Sequence, residues 1–147
     1  MAATRTAHVA WAGDLLSGGG TIERVGSAAF GPLPVSWAAR TEASDGKTSP
    51  EELLAAAHAS CFAMALSAGL ASAGTPATTL AVSATVTFDK RADGWRVTAS
   101  ALTVRGVVPG ASAEAFVEAA EAAKTGCPIS KALIGNVDLS VDATLAA

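Results

Sequence analysis

Between Leu53 and Phe88 the chain carries no Asp, Glu, Lys or Arg. That uncharged stretch opens with a strong helix-start signal, Thr48-Ser49-Pro50-Glu51-Glu52. Ser49 is placed as N-cap, Pro50 fits the first helical position, and Glu52 completes a capping box. Both carboxylates fall where the helix dipole favours negative charge. The pattern predicts a helix from Pro50 to about Ala73, stopped by Gly74-Thr75-Pro76. It is apolar on every side, and such a helix has to be enclosed all round.

Lipid or protein could enclose it. The segment is long enough to span a bilayer, but His58, Ser60, Ser67, Gly69 and Ser72 interrupt it, and seven of its apolar positions before Gly69 are alanine. Alanine supplies weak driving force for insertion, and no basic flank orients the segment. Enclosure by protein is therefore expected, with no membrane partner. A chain of 147 residues offers little beyond one short second helix and two small sheets as cover. A homodimer in which this helix packs on its symmetry mate resolves the deficit, because Ala, Ser and Gly side chains let two axes approach closely.

The remaining composition narrows the field. Alanine makes up 36 of the residues, beside 4 Phe, 3 Trp and no Tyr, so the core depends on close approach of small groups rather than on bulk. A net charge of −3 with 16% charged residues excludes the usual basic nucleic-acid surface and an intrinsically disordered chain. The start of the sequence has no apolar run before Asp14, so no secretory signal is expected. Cys61 and Cys127 do not form the dense set typical of exported disulfide proteins, so a cytoplasmic protein with free thiols is expected.

Along the chain, short extended segments are predicted near Ala7–Ala12, Thr21–Val25 and Val35–Thr41, the last placing Arg40 at a strand end. Val82, Ala84, Val86 and Phe88 alternate with polar residues as a half-buried strand, and Asp93-Gly94 turns the chain into a partner strand from Trp95 to Val104. Ser112 caps a second helix carrying Phe116, Val117 and Ala120. Gly126 stops it, Cys127-Pro128 opens a short helix to Ile134, and Val137–Thr144 alternates as a last strand. The order β-β-β-α-β-β-α-β is that of an α+β domain with antiparallel sheets around a central buried helix. A single domain over residues 1–147 is expected.

Chemistry-bearing residues are few. Cys127 stands at the N-cap of the short helix, where unpaired N–H groups lower a thiol pKa. Cys61 lies in mid-helix and needs a cation from elsewhere to ionise. Arg40 is a candidate cation, Glu51 has an adequate role as a capping residue, and His58 is expected to be a core histidine bonded to backbone. No His/Cys/Asp cluster has metal-site spacing and no G-x-S-x-G elbow is present, so neither a metal nor another cofactor is expected. On dipole logic alone Cys127 is the nucleophile. Three functions stay open on these residues: thiol-based redox chemistry with turnover, a redox-sensing or lipid-binding dimer without turnover, and a structural dimer with inert thiols.

Two segments resemble the OsmC subgroup of the OsmC/Ohr proteins. Ser49-Pro50-Glu51-Glu52-Leu53-Leu54-Ala55-Ala56-Ala57-His58-Ala59-Ser60-Cys61-Phe62-Ala63-Met64-Ala65-Leu66 is similar to the family's first-cysteine helix, and Gly126-Cys127-Pro128-Ile129-Ser130-Lys131-Ala132-Leu133 to its second-cysteine motif. Trp11-Ala12-Gly13-Asp14, the glycine run to Gly20 and Pro109-Gly110 fall in matching places. The resemblance implies an OsmC-like fold, an intertwined homodimer and a thiol peroxidase acting on organic hydroperoxides. It implies Cys61 as the peroxidatic and Cys127 as the resolving cysteine, Arg40 as the activating arginine and Glu51 as its orienting glutamate. A disulfide between Cys61 and Cys127 and a dithiol reductant of lipoyl type follow from it, and Phe62, Met64 and Trp37 would suit an apolar peroxide. Glu51 and Cys61 are ten residues apart on one helix, about 15 Å of rise. Antiparallel pairing of the first helices would bring Glu51 of one subunit towards Cys61 of the other, giving composite active sites.

Overall fold

A computed structural model describes residues 1–146, which fall into two compact units, Met1–Leu53 and the chain from Leu54 onward. In the first unit β1 (Ala7–Ala12), β2 (Gly19–Val25) and β3 (Leu33–Val35) form an antiparallel sheet in sequence order. The glycine run is needed there: a Cβ on Gly20 would stand 2.7 Å from the Trp11 ring and 3.1 Å from Val35.

The expected strand from Val35 to Thr41 ends early, and Trp37–Thr41 is instead a short helix, α1. Ser36 decides this, its extended backbone and Oγ capping the helix by accepting from Ala39 N–H at 3.1 Å. Arg40 therefore sits in a helical last turn rather than at a strand end.

Helix α2 (Pro50–Ser72) begins where its cap signal predicts, with Glu52 N–H donating to Ser49 Oγ at 3.1 Å. The Glu52 carboxylate accepts from the Thr48 hydroxyl at 2.9 Å. In the second unit β4 (Thr79–Arg91) and β5 (Gly94–Val107) pair antiparallel as a long hairpin. Ser112 caps α3 (Ala113–Gly126), α4 (Pro128–Leu133) follows Cys127, and β6 (Asp138–Leu145) closes the sheet in the order β4-β5-β6.

Among the described residues the antiparallel expectation holds for three of the four strand pairings. β6 runs parallel to β5, from Ala99 opposite Asp138 to Gly106 opposite Leu145. The reason is the α3–α4 crossover, which carries the chain back to the end of the sheet where β5 began.

The core of this unit joins Phe62, Leu66 and Leu70 of α2 to Leu102 and Val104 of β5 and Phe116, Ala120 and Ala123 of α3. Gly106 on β5 is a close-approach position, where a Cβ would lie 2.6 Å from Phe116 Cζ. The central helix is buried along one stripe only, through His58, Phe62, Leu66 and Leu70. Its opposite face stays open: Met64 is 73% exposed, and Ala63, Ser67, Ala68 and Ala71 line a groove of about 580 Å³ with Leu80. One chain thus covers half of a helix that is apolar all round.

Candidate active site

Two side-chain pairs stand out, one in each unit. In the first, Arg40 from the last turn of α1 meets Glu51 in the first turn of α2. The guanidinium Nε donates to both carboxylate oxygens, at 3.0 and 3.1 Å, and Nη2 donates to Oε1 at 2.7 Å. Glu51 is buried and its charge lies at the positive end of α2, so the carboxylate is held by helix and guanidinium together. Arg40 also lies over the Trp37 ring at 5.8 Å. Beside it opens a small apolar pocket of about 100 Å³, walled by Trp11, Leu15, Val35, Trp37 and Pro50. A fixed guanidinium at the rim of an apolar pocket suits a polar oxygen group on an apolar body.

The second pair is Cys61 and Cys127, 66 positions apart in sequence. Cys61 projects from the fourth turn of α2, half-buried, and Cys127 is fully buried at the N-cap of α4. The two thiols act directly on one another, both being free. Burial pushes the Cys61 thiol up, and its contact with Cys127 adds to the rise, against a smaller opposing effect of the Ile129 N–H. For Cys127 burial is also the largest single influence and also raises, but the Cys61 thiol, the Ser130 N–H and hydroxyl and the Ile129 N–H together outweigh it and bring the thiol down. The amides of the α4 N-terminus point at the sulfur without closing a formal cap hydrogen bond. Among the described residues of this unit, no arginine is among the groups acting on Cys61.

His58 lies one turn before Cys61 on α2 and is fully buried. Its expected backbone partners are replaced by two serine hydroxyls: Nδ1 meets Ser100 Oγ of β5 at 2.7 Å and Nε2 meets Ser130 Oγ of α4 at 2.9 Å. Burial pulls the imidazole below its ordinary value, so the ring is neutral near pH 7.

Arg40 and Glu51 are thus brought together, and so are Cys61 and Cys127. Of the apolar residues expected around a peroxide, Trp37 lines the pocket at Arg40 and Met64 stands on the open face of α2. Phe62 does not: it is fully buried in the core against Leu66 and Phe116, because it shares the inward stripe with His58 and Leu66 at helical spacing. Ser100 and Ser130 were not legible as site residues. For Ser130 a signal exists, since the third residue after an N-cap cysteine presents its amide to the sulfur; for Ser100, on a distant strand, none does.

Known proteins resemble this chain over most of its length. The family described as OsmC-like protein matches residues 43–142. Peroxiredoxin OsmC of Escherichia coli strain K12 is 40% identical over 129 residues, covering 88% of this chain and 89% of that protein. Among solved structures, the organic hydroperoxide resistance protein OhrB of Bacillus subtilis superposes with a TM-score of 0.73 at 26% identity, over 95% of this chain and 98% of that one. An organic hydroperoxide resistance protein from Elizabethkingia anophelis, with thiocyanate bound, matches in fold at a TM-score of 0.72 and 24% identity, over 98% of this chain and all of that one (100%).

Proposed function

Because this chain belongs to the OsmC-like family and is a peroxidase-like enzyme, we propose that it reduces organic hydroperoxides to alcohols through a Cys61 sulfenic acid and a Cys61–Cys127 disulfide. One observation carries the mechanism: two free thiols from distant parts of the chain face each other. The Cys61 thiolate attacks the distal peroxide oxygen, the O–O bond breaks, and the departing alkoxide takes a proton to become the alcohol. Cys127 then condenses with the sulfenic acid, releasing water and shielding Cys61 from further oxidation. An external dithiol, lipoyl-like in type, restores both thiols by exchange.

Within its own unit the surroundings of Cys61 favour the thiol, since burial and the Cys127 neighbour outweigh the Ile129 N–H. The proposal is therefore a cytoplasmic homodimer with composite sites. The Arg40–Glu51 pair of one subunit faces Cys61 of the other and supplies the missing cation. The open, small-residue face of α2 is the surface on which a second copy packs. The pocket beside Arg40 favours a peroxide with an apolar body over hydrogen peroxide.

The test is turnover of cumene hydroperoxide and of hydrogen peroxide with dihydrolipoamide, in the wild type and in Cys61→Ser and Cys127→Ser. The expected result is loss of all turnover in Cys61→Ser, a trappable sulfenic acid in Cys127→Ser, and preference for the organic peroxide. Sulfenic acid formed in Cys61→Ser alone would reverse the two cysteine roles, in the direction that the acidity of Cys127 favours. Slow, unreactive thiols and no turnover would leave a binding module or a structural dimer instead.

A further inference from the structure

His58 is a buried polar side chain that the peroxide chemistry above does not use. It stands in a chain of hydrogen-bonding groups that crosses three elements of an otherwise apolar region: Ser100 on β5, His58 on α2, Ser130 on α4 and then the Cys127 sulfur. We propose that His58 is a positioning residue for disulfide formation, holding the Ser130 hydroxyl as a donor to the Cys127 sulfur so that Cys127 attacks as a thiolate. This rests on Cys127 being the resolving cysteine.

A neutral imidazole has one N–H and one bare nitrogen. In this proposal the ring proton is assigned to Nε2, so that the Ser100 hydroxyl donates to Nδ1 and Nε2–H donates to Ser130 Oγ. The single Ser130 proton then has the Cys127 sulfur as its acceptor, and Ser130 reaches that sulfur with both its amide and its hydroxyl. The thiolate so stabilised attacks the sulfenic sulfur of Cys61: the S–S bond forms, the S–O bond breaks, and hydroxide leaves. The hydroxide recovers from solvent the proton that Cys127 released, giving water. The groups facing the imidazole are Ser100 from β5 and Ser130 from α4, with Cys127 and Cys61 as the nearest titratable neighbours in the chain of contacts. Among the described residues no charged side chain perturbs the ring, whose shift comes from burial.

The experiment follows the full-length protein through one turnover. Reduced protein receives one equivalent of cumene hydroperoxide, and sulfenic acid (trapped with dimedone) and disulfide are quantified against time from about pH 5 to 9, using Ser130→Ala, Ser130→Thr, His58→Leu and His58→Gln. Sulfenic acid formation should change far less than disulfide formation in all four. In Ser130→Ala and His58→Leu, disulfide formation should slow about tenfold at neutral pH and its midpoint should move up by about one pH unit. Ser130→Thr and His58→Gln, which keep a hydroxyl and an N–H donor, should return toward wild type. Unchanged disulfide rate and midpoint in Ser130→Ala would overturn the inference. So would an equal fall in both steps, which marks a merely structural role. If His58→Leu fails to fold, the two Ser130 variants decide alone. A wild type that consumes no peroxide and forms no disulfide would remove the resolving role of Cys127, and this inference with it.

Discussion

Replacing Glu51 by Gln is the sharpest perturbation of the Arg40 site, because the change is nearly isosteric, removes the charge and turns one accepting oxygen into an N–H donor. The Glu51 carboxylate accepts three hydrogen bonds from one guanidinium, at 2.7, 3.0 and 3.1 Å. Its side chain is 10% exposed and that of Arg40 28%. Breaking a fully buried pair costs about 3–5 kcal/mol, whereas charged hydrogen bonds contribute about 1.5–3 kcal/mol each in favourable settings. Arg40 keeps more than a quarter of its surface in water and is partly rehydrated once released, so the lower range applies and about 2 kcal/mol of stability should be lost. Urea unfolding followed by tryptophan fluorescence measures it, with an unchanged m-value showing that only stability moved. Glu52→Gln is the control: Glu52 is exposed and bonded to the Thr48 hydroxyl, so it should cost about 0.5 kcal/mol or less. In the same proteins, peroxide oxidation of Cys61 should slow about 10- to 100-fold in Glu51→Gln and stay unchanged in Glu52→Gln. Equal stability and equal oxidation rates in the two variants would refute the claim that the carboxylate holds the guanidinium in place.

Three other outcomes are expected. Gly106→Ala should destabilise by about 1–3 kcal/mol in denaturant unfolding, because its Cβ would lie 2.6 Å from a fully buried Phe116 ring that has nowhere to move. Stability should fall as pH drops below about 6.5, the ordinary value of the imidazole. The unfolded His58 binds a proton there, and the buried one, whose pKa is depressed, does not. The slope cannot exceed about 1.4 kcal/mol per pH unit, levels off below the folded pKa, and should be absent in His58→Gln. Met64→Glu should convert a dimer to monomer in analytical ultracentrifugation and abolish turnover while leaving single-chain stability within about 0.5 kcal/mol, since Met64 is 73% exposed within the chain; an unchanged sedimentation coefficient would place the dimer interface elsewhere.

Sequence alone determined the features that depend on near neighbours. Ser49-Pro50 and Ser112 mark helix starts that the backbone adopts, and the alternation from Val82 to Phe88 reads directly as β4. The small side chains of α2 and its lack of a polar face were equally plain, and with them the need for cover from outside. Local pattern misled where one residue tipped a balance: Val35-Ser36-Trp37 reads as extended, yet the Ser36 hydroxyl caps a helix at that point. Only the tertiary structure decided what depends on distant chain segments meeting. It set β6 parallel to β5, because the α3–α4 crossover returns the chain to the start of that strand. It joined Arg40 to Glu51, and turned Phe62 to the core rather than to a pocket. It gave His58 two serine partners, 42 and 72 residues away. It also brought the Cys127 thiol, 66 positions away, to the one on α2. Caps and alternation are contacts within a turn or a strand, encoded in adjacent side chains, whereas these meetings follow from how whole elements pack.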